Sequence, residues 1–327
     1  SDEEYRNNLY SLWTNYCVSE SYEPGSTFKP VTVASALEEG VVKDGDTYVC
    51  KGFETVADYK LKCHVFSTIG SHGSLTVEQA LMNSCNPYMI HLALEMGNSR
   101  FAYYQSLFGF GKITGIDLPG ETTGIVYGDR MTTIDAACNS FGQTINVNMM
   151  QMMAAYCSII NGGMLYQPHI VKRIESANGE VVKEYKANLV RQTITASTSK
   201  LLRRYLKNTV EEGTAKKAGV TGYSVAGKTG TAQKGDRKDN KWIISFIGHA
   251  PAENPKFAIY VVIDEPYGTT GTSGSSADVL TLTHNILEKL LPYMNVYKDA
   301  SDEYEDTSSS PDELTVDGIP AGTASSN

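Results

Sequence analysis

The residues best equipped for covalent chemistry lie in Tyr22-Glu-Pro-Gly-Ser-Thr-Phe-Lys29, where Ser26 and Lys29 stand three positions apart. On a helix that spacing places the hydroxyl and the amine on one face. A serine attacks a carbonyl only when a base removes its proton, and a lysine is a base only where its surroundings keep it neutral. Ser26 is thus the candidate nucleophile and Lys29 its candidate base. Alone, Ser-x-x-Lys is a weak signal. Its second copy, Ser197 to Lys200, reads as the capped start of an amphipathic helix carrying Leu201, Leu202, Tyr205 and Leu206. The first copy has company, because Ser84-Cys85-Asn86 and Lys228-Thr229-Gly230 follow it at successive intervals of about 60 and 140 residues. Each motif is common by chance, but their order and spacing together are not.

The elements that must position these side chains follow from pattern. Pro24-Gly25 breaks the preceding segment, and Val31, Val33, Ala34 and Leu37 recur at helical spacing until Gly40 stops the helix that Ser26 opens. Thr76, followed by Glu78 and Gln79, reads as the N-cap of a second helix. Pro87 fits the start of a further one, which leaves Ser84-Cys85-Asn86 at a junction between helices. Residues 46–50 and 59–63 are expected to pair as a small hairpin, and 148–160 to form a helix stopped by Asn161-Gly-Gly163. A hairpin turning at Asn178-Gly179 joins 169–174 to 181–185. Tyr223 to Ala226 leads into the Lys228 segment, and the β-branched and aromatic runs 242–248 and 257–263 follow by short links, which predicts antiparallel pairing. Gly230 is expected to let a substrate backbone come close. After a Gly/Ser/Thr loop at 268–276, a last helix carries Leu280, Ile286, Leu287, Leu290 and Leu291. The predicted class is α+β: an antiparallel sheet sandwiched by helices, plus a mostly helical subdomain inserted over about 41–165.

Charge narrows the partners. The formal net charge of -9 is concentrated in 299–327, which holds eight acidic residues and no Lys or Arg; the rest of the chain stands at -1. A near-neutral body argues against nucleic acid, and the acidic, Ser/Thr-rich tail is expected to be disordered. No apolar run is long enough to span a bilayer.

The three motifs together resemble the penicillin-binding protein and serine β-lactamase superfamily. The longer segments Tyr22 to Lys29, Asn83-Ser-Cys-Asn-Pro87, Gly213-Thr214, Ala226 to Gln233, Ser245-Phe-Ile-Gly248 with Ala250-Pro251, and Gly142-Gln143 leading to Gln151 are similar to the transpeptidase domain of a class B penicillin-binding protein, over roughly residues 15–292. The resemblance implies peptidoglycan cross-linking at the extracytoplasmic face of the bacterial cell membrane, in elongation, division or sporulation. Ser26 would attack the carbonyl between two terminal D-alanines of a stem peptide, expel the last one, and pass the acyl group to an amine of a neighbouring strand. β-Lactam antibiotics would acylate the same serine.

The resemblance further implies that Ser84 and Asn86 relay protons and hold the donor amide, and that Lys228 helps keep Lys29 neutral. Lys228 and Thr229 would face the substrate's carboxylate, on a strand that Gly230 and Thr231 continue. Backbone N–H groups of Ser26 and Thr231 would form an oxyanion hole, commonly worth ~3 kcal/mol per donor. No cofactor is required for catalysis, and a membrane glycan polymerase is the expected partner of the full-length protein. The domain is expected over 22–298, with 1–21 as an N-terminal remnant and the membrane anchor outside this chain. Family members place one or two sheet strands before the nucleophile. None is legible here, so a short sheet would leave the Lys228 strand less protected. A β-lactamase on the same fold would need a hydrolytic base, and no glutamate is marked as one by its context, Glu121 alone being left open, whereas a non-catalytic β-lactam sensor would keep only the pocket.

Cys50, Cys63, His72 and Cys85 fall at intervals of 13, 9 and 13 residues, a donor set that suits tetrahedral zinc, with His64 as a competing ligand. The resemblance, particularly to sporulation-type proteins, implies that cysteines near these places can be redox-active, so a Cys63–Cys85 disulfide is the rival, and free thiols remain a third state. Cys138 and Cys157 read as buried hydrophobes, and His91, His169, His249 and His284 as structural residues.

Overall fold

A computed structural model describes residues 2–235, 241–266 and 275–300. The chain opens with helices α1 (Asp2–Ser11) and α2 (Tyr16–Ser19), and a 3-10 turn, Gly25–Phe28, runs into α3 (Lys29–Glu39). Short strands β1 (Thr47–Cys50), β2 (Phe53–Val56), β3 (Tyr59–Lys62) and β4 (Gly73–Thr76) come next. Helices α4 (Val77–Met82), α5 (Asn86–Met96), α6 (Asn98–Leu107), α7 (Thr133–Asn139) and α8 (Met149–Ile160) follow. Strands β5 (Met164–Gln167), β6 (Arg173–Glu175), β7 (Val181–Glu184) and β8 (Asn188–Gln192) lead to α9 (Ala196–Glu211). The main sheet, β9 (Ala226–Lys234), β10 (Lys241–Ala250) and β11 (Phe257–Asp264), precedes the closing helix α10 (Ala277–Tyr293).

The main sheet is antiparallel in the order β11-β10-β9. Alternation along β10 sends Ile244 and Phe246 to a core shared with Val279, Leu280 and Leu287 of α10, while Ile247 joins the core built by α3, α5, α8 and α9. The sheet is therefore sandwiched by helices, and the fold is α+β. Gly40, at φ 78°, ends α3 with a left-handed cap. Thr76 and Gln79 form the expected capping box at α4.

The small sheets differ from expectation. Residues 46–50 and 59–63 do not pair with one another: β1 pairs with β4, and β3 with β2. Lys228 is fully buried even though the sheet has three strands among the described residues, because α9 packs on β9 and the Gly25–Phe28 turn closes its free edge. The Lys228 strand is thus not left less protected. Asp299, expected to lie in the tail, is tied down. Its carboxylate accepts the Ser224 N–H at 2.7 Å and the Ser224 hydroxyl, and its own N–H donates to Gly222 O. The rest of the acidic tail and most of the 268–276 loop lie outside the described residues.

Candidate active site

Pro24-Gly25 delivers Ser26 to the first turn of the α3 region, half-buried and with no hydrogen bond from its hydroxyl among the described residues. The turn sits hard against β9. A Cβ on Gly25 would lie 2.7 Å from Thr231 O, and the position already has φ 56°, so glycine is required twice over. One turn further on, Lys29 is fully buried and its Nζ donates to Ser84 O at 2.6 Å, Ser84 Oγ at 2.9 Å and Asn86 Oδ1 at 2.7 Å. Burial brings its pKa down to about 8, against a smaller upward pull from Cys63 and Cys85.

The second motif is fixed on both sides. Ser84 has φ 56°, a left-handed conformation that costs a non-glycine residue about 1–3 kcal/mol. The Asn86 amide donates to Lys62 O at 3.2 Å, so the end of β3 aims the amide oxygen at Lys29.

Lys228 has a poorer set of partners than Lys29. Among the described residues its Nζ reaches only Thr229 O and Thr229 Oγ1, at 3.2 and 3.3 Å, and its pKa is lowered first by burial and then by the charge of Lys29. The two amines therefore share one buried site with no carboxylate paired to either among the described residues. Thr229 Oγ1 lies 3.4 Å from Thr214 Oγ1, and Thr214 N donates to Met82 O. Gly213-Thr214 thereby joins β9 to the helix that delivers Ser84. The resemblance includes this pair, but its use is not legible in the sequence, since the contact spans two elements. Packing makes its own demand for glycine at 230, where a Cβ would meet Ser245 Oγ at 2.5 Å and Thr27 Cγ2 at 2.8 Å.

Cys50, Cys63, His72 and Cys85 place their ligand atoms within 4.8 Å of one another. His72 Nδ1 lies 3.8 Å from Cys50 Sγ and 3.5 Å from Cys63 Sγ, close to the ~3.8 Å edge of a tetrahedron with zinc–sulfur bonds of about 2.3 Å. All six cysteines are free, so the Cys63–Cys85 disulfide is not formed. The hydrogen bond between them pushes the Cys63 thiol down and the Cys85 thiol up. His64 is not part of the group; its Nε2 lies 2.9 Å from Asn83 O. Asn148 caps α8 through a box with Gln151, a structural role. Glu121 is spent on a turn, accepting from Thr114 N, Thr114 Oγ1 and Gly115 N.

A sheet with a serine–lysine helix at its edge and a Ser-x-Asn junction bonded to that lysine defines the penicillin-recognising class of active-site-serine folds. The sequence profile of the penicillin binding protein transpeptidase domain matches residues 1–288, and the chain belongs to that family. It is 41% identical over 288 residues to stage V sporulation protein D of Bacillus subtilis, covering 86% of this chain and 44% of that protein. It is 32% identical over 292 residues to peptidoglycan D,D-transpeptidase FtsI of Escherichia coli K12, covering 88% of this chain and 46% of that protein. Among solved structures, penicillin-binding protein 3 of Mycobacterium tuberculosis complexed with ampicillin superposes with a TM-score of 0.79 at 29% identity, over 88% of this chain and 66% of that one. The chain thus spans less than half the length of these two curated relatives.

Proposed function

We propose that this chain is the transpeptidase unit of a D,D-transpeptidase that cross-links peptidoglycan stem peptides through an acyl-enzyme on Ser26. The observation that carries this reading is the fully buried Lys29 amine, bonded to Ser84 and Asn86 one helical turn from Ser26. A pKa of about 8 leaves part of Lys29 neutral near neutral pH, free to take the Ser26 proton as Oγ attacks the carbonyl. The N–H groups of Ser26 and Thr231 receive the oxyanion. Ser84, in contact with the Lys29 amine, passes the proton to the leaving D-alanine. An acceptor amine then attacks the ester, and its proton returns to Ser26 through Lys29.

Thr229, Gly230, Thr231 and Lys228 line the strand that takes the donor's carboxylate. The ampicillin complex of the M. tuberculosis relative supports β-lactams as inhibitors. The structural role of Glu121 speaks against the β-lactamase alternative. The working location is the extracytoplasmic face of the membrane, beside a glycan polymerase.

The test is intact mass after incubation with benzylpenicillin. One adduct on the parent chain and none on Ser26→Ala is the expected result. Rapid turnover of excess penicillin would make the chain a hydrolase, and labelling retained in Ser26→Ala would overturn the assignment of the nucleophile.

We also read Cys50, Cys63, His72 and Cys85 as the ligands of a structural zinc. Such an ion would fasten β1 and β3 to Cys85, within the second motif. Elemental analysis of the purified chain should give one zinc per molecule, lost in Cys50→Ala together with a lower melting temperature.

A further inference from the structure

The Ser26 hydroxyl has no hydrogen bond of its own among the described residues. Its aim, and that of the Ser26 N–H, is therefore set by the backbone on either side, between Pro24 and Thr27. These two flanks are fastened to each other, because the buried Thr27 hydroxyl donates to Pro24 O at 2.7 Å. That bond uses the only proton the hydroxyl has. Thr27 Oγ1 also lies 3.2 Å from the hydroxyl of Tyr260, so Tyr260 is the donor of this second bond. Burial pushes the Tyr260 pKa up, and the phenol keeps the proton that the bond requires.

Tyr260 belongs to β11, whereas the turn it reaches packs on β9, so the phenol crosses the sheet. Small residues clear its path. Tyr260 pairs with Ile247 of β10, and Ser245, two positions further along β10 and on the same face, pairs with Gly230 of β9. A Cβ at Gly230 would lie 2.5 Å from Ser245 Oγ, 2.8 Å from Thr27 Cγ2 and 3.0 Å from Pro24 O. The missing side chain is thus the gap in which the nucleophile turn meets the sheet. We propose that Tyr260 is a positioning residue for acyl transfer: through Thr27 Oγ1 its hydroxyl fixes the Pro24–Thr27 turn, and with it the line of attack of Ser26 Oγ and the direction of the Ser26 N–H. This role rests on the acyl-transfer reading of Ser26. Tyr260 itself touches no reacting atom. Because the rate of attack falls steeply as the nucleophile leaves its productive geometry, a loosened turn slows the chemical step while penicillin still binds.

The test is stopped-flow acylation of the whole chain by benzylpenicillin over a range of concentrations, which separates the limiting rate constant from the concentration that half-saturates it. Tyr260→Phe removes a single oxygen and should lower the limiting rate about three- to tenfold. Half-saturation, the pH at which the rate rises and the final yield of adduct should stay as in the parent. Thr27→Val, which also loses the bond to Pro24 O, should be slower still, and Thr27→Ser, which keeps the oxygen, should restore most of the parent rate. Adding Tyr260→Phe to Thr27→Val should slow acylation no further, since the phenol acts only through Thr27. The proposal is overturned if Tyr260→Phe is acylated at the parent rate, if it lowers only the melting temperature and the final yield, or if its effect adds in full to that of Thr27→Val. A parent chain that forms no adduct would sink the acyl-transfer reading and the positioning role together, whereas a labelled parent with an unaffected Tyr260→Phe would sink the positioning role alone.

Discussion

At the scale of the residue, the chemistry turns on the proton of Lys29. Burial lowers its pKa to about 8, so the neutral base is scarce below that value and complete above it. The rate constant for penicillin acylation should therefore rise with pH through about 8 and level off, measured by stopped-flow on the parent chain. Asn86→Asp places a carboxylate where Oδ1 now accepts from Nζ at 2.7 Å. That change raises the Lys29 pKa, moves the profile to higher pH by about one unit, and slows acylation at neutral pH about tenfold. An unchanged profile would remove Lys29 from the role of base. Ser26 and Lys29 were legible in the sequence because both sit in one turn of chain. Thr214 was not, because a hydroxyl's use at Thr229 depends on a contact across separate elements.

At the scale of the element, the short strands show how far pattern reaches. Residues 46–50 and 59–63 were sensible partners by composition, yet Phe53–Val56 alternates as well and lies nearer to β3. Local pairing won, which freed β1 for β4 and brought Cys50, Cys63 and His72 to Cys85. The same hairpin ends at Lys62, whose carbonyl holds Asn86. Chelation under reducing conditions should therefore slow acylation while leaving Ser26 intact, followed by fluorescent penicillin labelling. The turn against β9 makes a second prediction. Gly230→Ala drives a methyl to 2.5 Å from Ser245 Oγ and 2.8 Å from Thr27, so stability should fall by about 1–3 kcal/mol in denaturant titration. A neutral result would mean that the Gly25–Phe28 turn is free to move.

At the scale of the whole molecule, two polar contacts join distant parts. The Nε2–H of His249 on β10 donates to Ala252 O while its Nδ1 accepts from the Tyr156 hydroxyl of α8, and burial brings its pKa down to about 4. The folded state thus binds this proton less readily than an unfolded chain, whose histidine titrates at about 6.5. The stability His249 contributes is full above that value and is lost as pH falls toward 4; near pH 5 the loss is about 2 kcal/mol. Thermal unfolding as a function of pH in the parent and in His249→Gln should show the difference in slope. Asp299→Ala removes the acceptor of Ser224 N–H and its hydroxyl and should cost about 1–2 kcal/mol by the same measurement.

The sequence by itself determined the motifs, the helices around them, the antiparallel sheet and the family, because each rests on local periodicity or on residue types at fixed spacing. Only the tertiary structure decided what packs against Gly230, which strands pair around the cysteines, and that Thr214 and Asp299 have partners. Those outcomes depend on which surfaces come within a few ångströms of one another. Such proximity arises from packing the whole chain and leaves no mark in any single stretch of it.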